Sequence, residues 1–261
     1  MKIKASMQGK ISKMVFGADA IEIKATIPNA QIENALLRFN LTLDNDEERY
    51  IYFFDTPPLD LLKAGIITRA RRIVGGEHDS TIKFRPVAPE EISDKWRKSS
   101  GFKIEADASE KGVVKSASFT MPVEKGLIKA VVGGEKSIAK LFTKEQEDFL
   151  AEMANYPIDF STLAVLGPLK ANRWKFEDQA CPWKITAELW RREDGERLME
   201  ASIKAPIGQA AAAIGGFMAF LAEVGADRDS KQQTKTHWAL DYYAAKLRSS
   251  KEVTRAEAPK K

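Results

Sequence analysis

The stretch YIYFFDTPPLDLLKAGIITRARRI, residues 50–73, decides the fold. It opens as an aromatic strand, turns on Asp55-Thr56-Pro57, makes a short helical turn closed by Gly65, and continues as a second strand, IITRARRI. Side chains alternate across a strand, so Ile67, Arg69, Arg71 and Ile73 point one way and Thr68, Ala70 and Arg72 the other. Two guanidinium groups side by side on one strand face form a forked receptor for an anion such as phosphate. The alternative is a solvated strand whose charges serve solubility.

The same alternation recurs on both sides of this stretch. In DAIEIKATIP (19–28), Glu22, Lys24 and Thr26 oppose Ile21, Ile23, Ala25 and Ile27. IENALLRF (32–39) has the spacing of a short amphipathic helix, and Asp44–Glu48 reads as a polar turn. After the GGEHD turn (75–79), STIKFRPV sets Thr81, Lys83 and Arg85 against Ile82 and Phe84. In GFKIEADAS (101–109), Lys103, Glu105 and Asp107 share a face. Residues 110–160 lose the period of two and are predicted as a helical insert interrupted at Gly133-Gly134. Strands return at 166–179, with Arg173 and Lys175 facing away from Trp174 and Phe176. A hairpin over 183–206 turns on Asp194-Gly195, a strong turn signal. Its strands carry Lys184, Thr186 and Glu188 on one face, and Glu200, Ser202 and Lys204 on one face. An Ala-rich helix (207–224), a last helix at HWALDYYAAKL and a disordered charged tail (246–261) complete the prediction. Residues 1–18 read as an extension without a committed element.

Composition narrows the function classes. Lys+Arg exceed Asp+Glu by 41 to 37, a net +4, which is not the footprint of a duplex-DNA binder. Cys181 is the one cysteine, and the two histidines, His78 and His237, lie far apart, so neither a disulfide framework nor a zinc spacing is present. MKIKASMQGKISKMVF lacks the apolar core of a signal peptide, and the apolar run Ala210–Ala222 is too short to span a bilayer. A soluble cytoplasmic protein without a membrane partner is the expectation.

The strand faces carry Lys24, Arg69, Arg71, Lys83, Arg85, Lys103, Arg173, Lys175, Lys184 and Lys204, with Glu22, Glu105, Asp107, Glu188 and Glu200 among them. Amphipathic helices need an apolar surface to cover. One economical arrangement puts the apolar strand faces outward beneath them and the charged faces inward, around a hydrated tunnel for a polyanion. Acids among the cations also suit Mg²⁺ or Mn²⁺, which prefer oxygen ligands. A sheet with one wet face fits the same pattern, and periodicity alone does not separate the two.

These residues resemble the CYTH, or triphosphate tunnel metalloenzyme, superfamily, which includes thiamine triphosphatases, inorganic triphosphatases and class IV adenylyl cyclases. AIEIK (20–24) is similar to the last two marked positions of the family's E-x-E-x-K strand, through Glu22 and Lys24. YFFDTPPLDLLKAGIITRARR looks like its Y-F-D-T-P…L-R-x-R unit, and STIKFR, FKIEAD and LGPLKANRWKF look like the strands that follow. The hairpin at 183–206 resembles the pair bearing an acid and then E-x-E, and DSKQQTKTHWALDYY the lysine-containing C-terminal segment, through Lys235. The resemblance spans about residues 19–245 and implies an α+β fold: an eight-stranded antiparallel β-barrel with a charged interior and helices packed outside. Two departures fall at the family's metal-holding acids, where Ala20 and Ser202 stand.

The resemblance implies a metal-dependent phosphohydrolase for a small polyanion, namely tripolyphosphate or a nucleoside or thiamine triphosphate. Lys24, Arg69 and Arg71 would be catalytic. They would bind phosphate together with Lys83, Arg85, Lys103, Arg173, Lys204 and Lys235. Glu22, Glu105, Glu188 and Glu200 would hold Mg²⁺ or Mn²⁺, with acids enough for one ion and two fewer than the family pattern. The alternative is a non-catalytic polyphosphate- or nucleotide-binding protein that keeps the cations and lacks a full metal site. Cys181, His78 and His237 read as structural, and Trp174, Trp183, Trp190 and Trp238 as packing residues.

Overall fold

The computed structural model describes residues 5–109, 112–223 and 234–257. From the N-terminal side, α1 (Ala5–Val15) precedes β1 (Ala20–Ile27), and α2 (Ile32–Arg38) leads into β2 (Glu47–Asp55). The turn after β2 holds α3 (Asp60–Lys63), followed by β3 (Ile66–Ile73) and β4 (His78–Phe84). Next come α4 (Asp94–Arg97), β5 (Phe102–Ser109) and β6 (Gly112–Val123), then α5 (Leu127–Val132) and α6 (Lys144–Ala154). The chain continues through β7 (Ala164–Asp178), β8 (Cys181–Arg191) and β9 (Arg197–Pro206) to α7 (Ala210–Glu223) and α8 (Lys235–Glu257).

The strands close into a barrel in the order β1-β5-β6-β4-β3-β2-β7-β8-β9. This corrects the expected eight antiparallel strands in two ways. The ninth strand is β6, which occupies the start of the stretch predicted as helical. Its alternation presents Ser116, Ser118 and Thr120 where other strands present charges, so the contrast between its faces is weak in the sequence. The second correction is that β1 runs parallel to β5, while pairing antiparallel with β9 on its other edge. A parallel pair needs a long crossover, which the three intervening strands supply. Ala5–Val15 is a helix inside the stretch left without an element, and α8 runs to Glu257, beyond the boundary expected at 245. Residues 258–261 of the expected tail lie outside the described residues.

The chain divides into two compact units, and strands β2, β4, β6 and β7 each contribute residues to both. The first comprises Met1–Arg49, Phe84–Phe119 and Lys170–Gln232. Strand β1 buries alternate residues, and its apolar face joins those of β8 and β9 beneath the helices. Val15 of α1, Ile32 of α2, and Ala213, Phe217 and Phe220 of α7 cluster with Ile21, Ile23, Ile185, Leu189, Met199 and Ile203. Each large side chain so buried stabilises the fold by about 2–3 kcal/mol. Helix α7 lies so close to β8 that a Cβ on Gly216 would come within 2.7 Å of the Trp183 ring. In this unit the apolar faces of β1, β8 and β9 are therefore the helix-covered ones, which is the first of the two arrangements that the alternation left open.

The second unit comprises Tyr50–Lys83, Thr120–Leu169 and Gln233–Lys261. The Asp-Thr-Pro turn is built on Asp55, 2% exposed, whose carboxylate accepts backbone N–H bonds from Thr56, Leu61 and Leu62. These bonds satisfy the free donors at the start of α3. Strand β4 is tied to α6 by Ser80 and Gln146, the latter also completing a capping box with Thr143. Phe54 of β2 packs edge-on against Phe142, at a ring-centroid distance of 6.1 Å.

Candidate anion-binding site

In the first unit, strand register alone aligns most of the charged residues. Glu22 lies beside Asp107 and Ala20 beside Glu105 across β1–β5. Glu22 faces Lys204, Lys24 faces Ser202 and Thr26 faces Glu200 across β1–β9. Further along, Glu188 faces Glu200 across β8–β9, and Arg173 faces Glu188 across β7–β8. One polar face thus runs over five strands.

Lys24 is the centre of this face. Its Nζ lies 2.7 Å from Asp107 Oδ1 and 3.0 Å from Glu22 Oε2, so one ammonium bridges two carboxylates. Asp107, itself 1% exposed, also accepts from Ser116 Oγ at 3.1 Å and has Arg85 Nε at 3.8 Å. Ser202 Oγ, at a position where the family pattern has an acid, donates to Glu22 Oε1 at 3.3 Å. Lys204 Nζ binds Glu105 Oε1 at 2.6 Å. Burial disfavours the charge on Lys24, but Glu22, Asp107 and Glu200 outweigh it and hold its pKa well above the ordinary lysine value. Burial likewise opposes the Glu22 charge, and Lys24 and Lys204 overcome it, lowering its pKa. At neutral pH both groups are therefore ionised. Glu22 is a weak base and Lys24 a fixed cation, so the pair holds charge and does not exchange protons.

A second cluster in the same unit centres on Arg49, 4% exposed, which pairs with Glu47 and has Nη1 3.5 Å from Glu188 Oε1. Arg173 approaches the same acids, Glu47 at 3.7 Å and Glu188 at 3.8 Å. Positive charge is in excess here. Arg173 is the largest cause of a lowered Lys175 pKa, followed by burial, with Arg49 and Lys184 adding to it against Glu47. Such a field attracts a polyanion.

In the second unit, Arg69 Nη2 lies 3.4 Å from Thr81 Oγ1, which is 3.0 Å from Thr120 Oγ1. Alternation on β3 and β4 thus puts Arg69 and Thr81 on one face, as expected. Arg71, in contrast, is held by Asp79: Nε contacts both carboxylate oxygens at 2.9 and 3.1 Å, and Nη2 lies 2.8 Å from Oδ2. Lys83 is half-buried on β4, and Lys235 is half-buried at the first position of α8. Lys103 is exposed on β5, opposite Ser118.

The structure brings together Glu22, Lys24, Arg85, Glu105 and Lys204 around Asp107, and Arg173 with Glu188. The residues that sequence reasoning passed over are Glu47, Arg49 and Asp79. Arg49 was legible in principle: Glu47, Arg49, Ile51 and Phe53 alternate, but the acidic run before them reads as a turn. Asp79 fell inside the predicted GGEHD turn, whereas β4 begins at His78.

Of the four acids expected to hold Mg²⁺ or Mn²⁺, Glu22, Glu105 and Glu188 each lie against a cation, and Glu200 faces Glu188 and Thr26 across its strand pairs. Glu22 and Asp107 share the Lys24 ammonium, Glu105 is taken by Lys204, and Glu188 is approached by Arg49 and Arg173. Among the described residues no group of three or more His, Cys, Asp or Glu side chains is placed to hold a metal.

No known protein family matches the sequence, and no curated protein matches it. Solved structures do share its fold. A candidate adenylate cyclase from Bacillus halodurans is similar at a TM-score of 0.59 and 13% identity, over 84% of this chain and 97% of that one. A candidate adenylyl cyclase from Hippeastrum, described as having a dominant triphosphatase activity, is similar at a TM-score of 0.59 and 13% identity, over 83% of this chain and 93% of that one. At this identity the likeness concerns the fold alone. No helix among the described residues is long and apolar enough to cross a membrane.

Proposed function

We propose that this chain binds the triphosphate portion of a small molecule on its charged strand faces and hydrolyses it. The observation that carries this reading is the face over β7, β8, β9, β1 and β5, where Lys24, Arg173, Lys175 and Lys204 sit in register and positive charge outweighs negative around Lys175. Lys24, its pKa raised by its acidic neighbours, and Arg85 would neutralise phosphate oxygens as charge shifts toward the leaving group, the main lever in phosphoryl transfer. Arg173 and Lys175 would extend the cationic surface along the chain of phosphates. In hydrolysis, water oxygen forms the new bond to the terminal phosphorus. The bridging P–O bond breaks, its electron pair leaves with the remaining phosphates, and the attacking water's proton passes to a released phosphate oxygen. Likeness in fold to a protein described as a triphosphatase supports the reading.

A second reading, binding without turnover, rests on a different observation. Lys24 occupies the space between Glu22 and Asp107, and Ser202 contacts Glu22 where an acid would add a metal ligand. The same cations then hold the ligand, and the acids fix the cations in place.

Phosphate release from tripolyphosphate, with Mg²⁺, Mn²⁺ or EDTA, separates the readings. Turnover that disappears in Lys24→Ala and in the Arg69→Ala/Arg71→Ala variant supports the hydrolase. Absence of turnover under every condition, with tripolyphosphate still raising the unfolding temperature, supports the binding protein. Neither turnover nor thermal protection overturns both.

A further inference from the structure

A cavity of about 660 Å³ lies within the second unit, at the turn end of the β3–β4 hairpin and beside the segment joining β6 to α5. Its basic lining is Arg72, His78, Lys125 and Lys129, drawn from β3, β4 and the β6–α5 region. Ile73, Val123 and Ile128 supply apolar wall, and Glu77 is the carboxylate in the lining. We propose that this cavity is an anion site of its own, for a small organic phosphate whose ring or other apolar body packs on Ile73, Val123 and Ile128 while Arg72, Lys125 and Lys129 hold the phosphate.

The inference does not depend on the function proposed above, because β3 alternates. Arg69 and Arg71 belong to one face, and Arg72 leaves from the other. There its guanidinium carbon sits 4.1 Å from the Tyr50 ring centroid. Stacking on a ring restrains the guanidinium while leaving its N–H edge able to donate, so less freedom is lost when an anion binds. Strand β4 adds an oriented donor. The Ile73 backbone N–H donates to His78 Nδ1 at 3.3 Å, so the neutral imidazole carries its proton on Nε2. The volume falls in the range of small-ligand sites, and the mixture of apolar wall with a few convergent polar groups is their usual chemistry.

The electrostatics agree with an unmet demand for negative charge. The His78 pKa is lowered by burial first, then by Arg72 and Lys125, with Asp79 pulling the other way. A phosphate dianion beside the ring reverses the effect of the two cations and raises that pKa. Arg72, Lys125, Lys129, Glu77 and Asp79 are the charged groups that line the cavity or act on the ring.

Only two histidines occur in the chain, so a His237→Gln variant leaves His78 as the sole imidazole reporter by proton NMR. Phenyl phosphate is the probe, with phenol and inorganic phosphate as separate arms. The expected result is a saturable shift of the His78 resonance with phenyl phosphate at fixed pH, and a His78 titration moved to higher pH. Each half-ligand should bind more weakly. Lys125→Ala/Lys129→Ala, both exposed positions, should weaken phenyl phosphate binding about tenfold. The inference is overturned if His78 shows no saturable shift, or if inorganic phosphate binds as tightly as phenyl phosphate. It is also overturned if the shift survives the double variant and vanishes in Arg69→Ala, which would place the anion on the other strand face.

Discussion

Lys24 illustrates how one residue can satisfy two neighbours. Period-two alternation puts Glu22 and Lys24 on the same strand face, and parallel pairing with β5 brings Asp107 within reach of the same ammonium. Lys24→Met leaves two carboxylates facing each other and should cost about 1–3 kcal/mol, a buried-pair penalty reduced by the partial exposure of Lys24 and Glu22. The pH dependence follows from the two shifts. Glu22, with its pKa lowered, contributes stability above the ordinary carboxylate range and loses it as pH falls through its folded value. Lys24, with its pKa raised, contributes below the ordinary lysine range and loses it as pH rises through its folded value. The gap in unfolding temperature between the native chain and Lys24→Met should therefore be widest between about pH 5 and pH 10 and narrow outside it. A gap independent of pH would remove the charge explanation. Arg71 gives a second test at this scale. Asp79 holds its guanidinium, so on the proposed function Asp79→Asn should tighten tripolyphosphate binding about threefold or more in calorimetry. Unchanged affinity would mean that Arg71 serves the hairpin and not the ligand.

At the scale of elements, the chain relies on turns and close approaches as much as on strands. The link from β2 to β3 is held by Asp55, whose carboxylate replaces the partners that three N–H groups would otherwise lack. Asp55→Ala should destabilise the protein by about 2–3 kcal/mol in denaturant unfolding, the penalty for stranding buried donors. On the helix side, Gly216→Ala pushes a methyl group into the Trp183 ring. It should cost about 1–3 kcal/mol despite the better helix propensity of alanine; a stabilised variant would show that α7 can slide on β8. The elements were legible to different degrees. Strand β1 was plain because charge and apolar residues alternate without a break. Strand β6 was hidden because serine and threonine occupy its polar face, and β2 was shortened because Glu47 and Arg49 follow an acidic turn.

For the whole molecule, the mild net charge of +4 conceals strong local sorting. Lys24, Arg49, Arg71, Arg85, Arg173 and Lys204 are each matched to a carboxylate, which lowers self-repulsion in the folded protein. A polyanion then has to exchange some of these pairs for its own, and stabilises the folded state in proportion to its occupancy. Tripolyphosphate at a hundredfold excess over its Kd should add about 2.7 kcal/mol. The same protection should persist in EDTA, since Glu22, Asp107, Glu105 and Glu188 are engaged by cations. Protection that requires Mg²⁺ would show that the acids leave Lys24, Lys204 and the arginines to take up an ion.

The sequence by itself determined the strand faces, the Asp-Thr-Pro turn, the buried Ala-rich helix and the membership of Glu22, Lys24, Arg69, Arg85 and Arg173 in charged faces. All of these depend on local features, periods of two or 3.6 residues and the residue types of a turn. Tertiary structure decided which carboxylate each cation meets, that β1 runs parallel to β5, and that a ninth strand completes the barrel. It also decided that Glu22 and Asp107 share Lys24, that Glu105 meets Lys204 and that Glu188 meets Arg49 and Arg173. Those outcomes depend on strand order and register, which bring together residues as far apart as Lys24 and Asp107, and no local period encodes that distance.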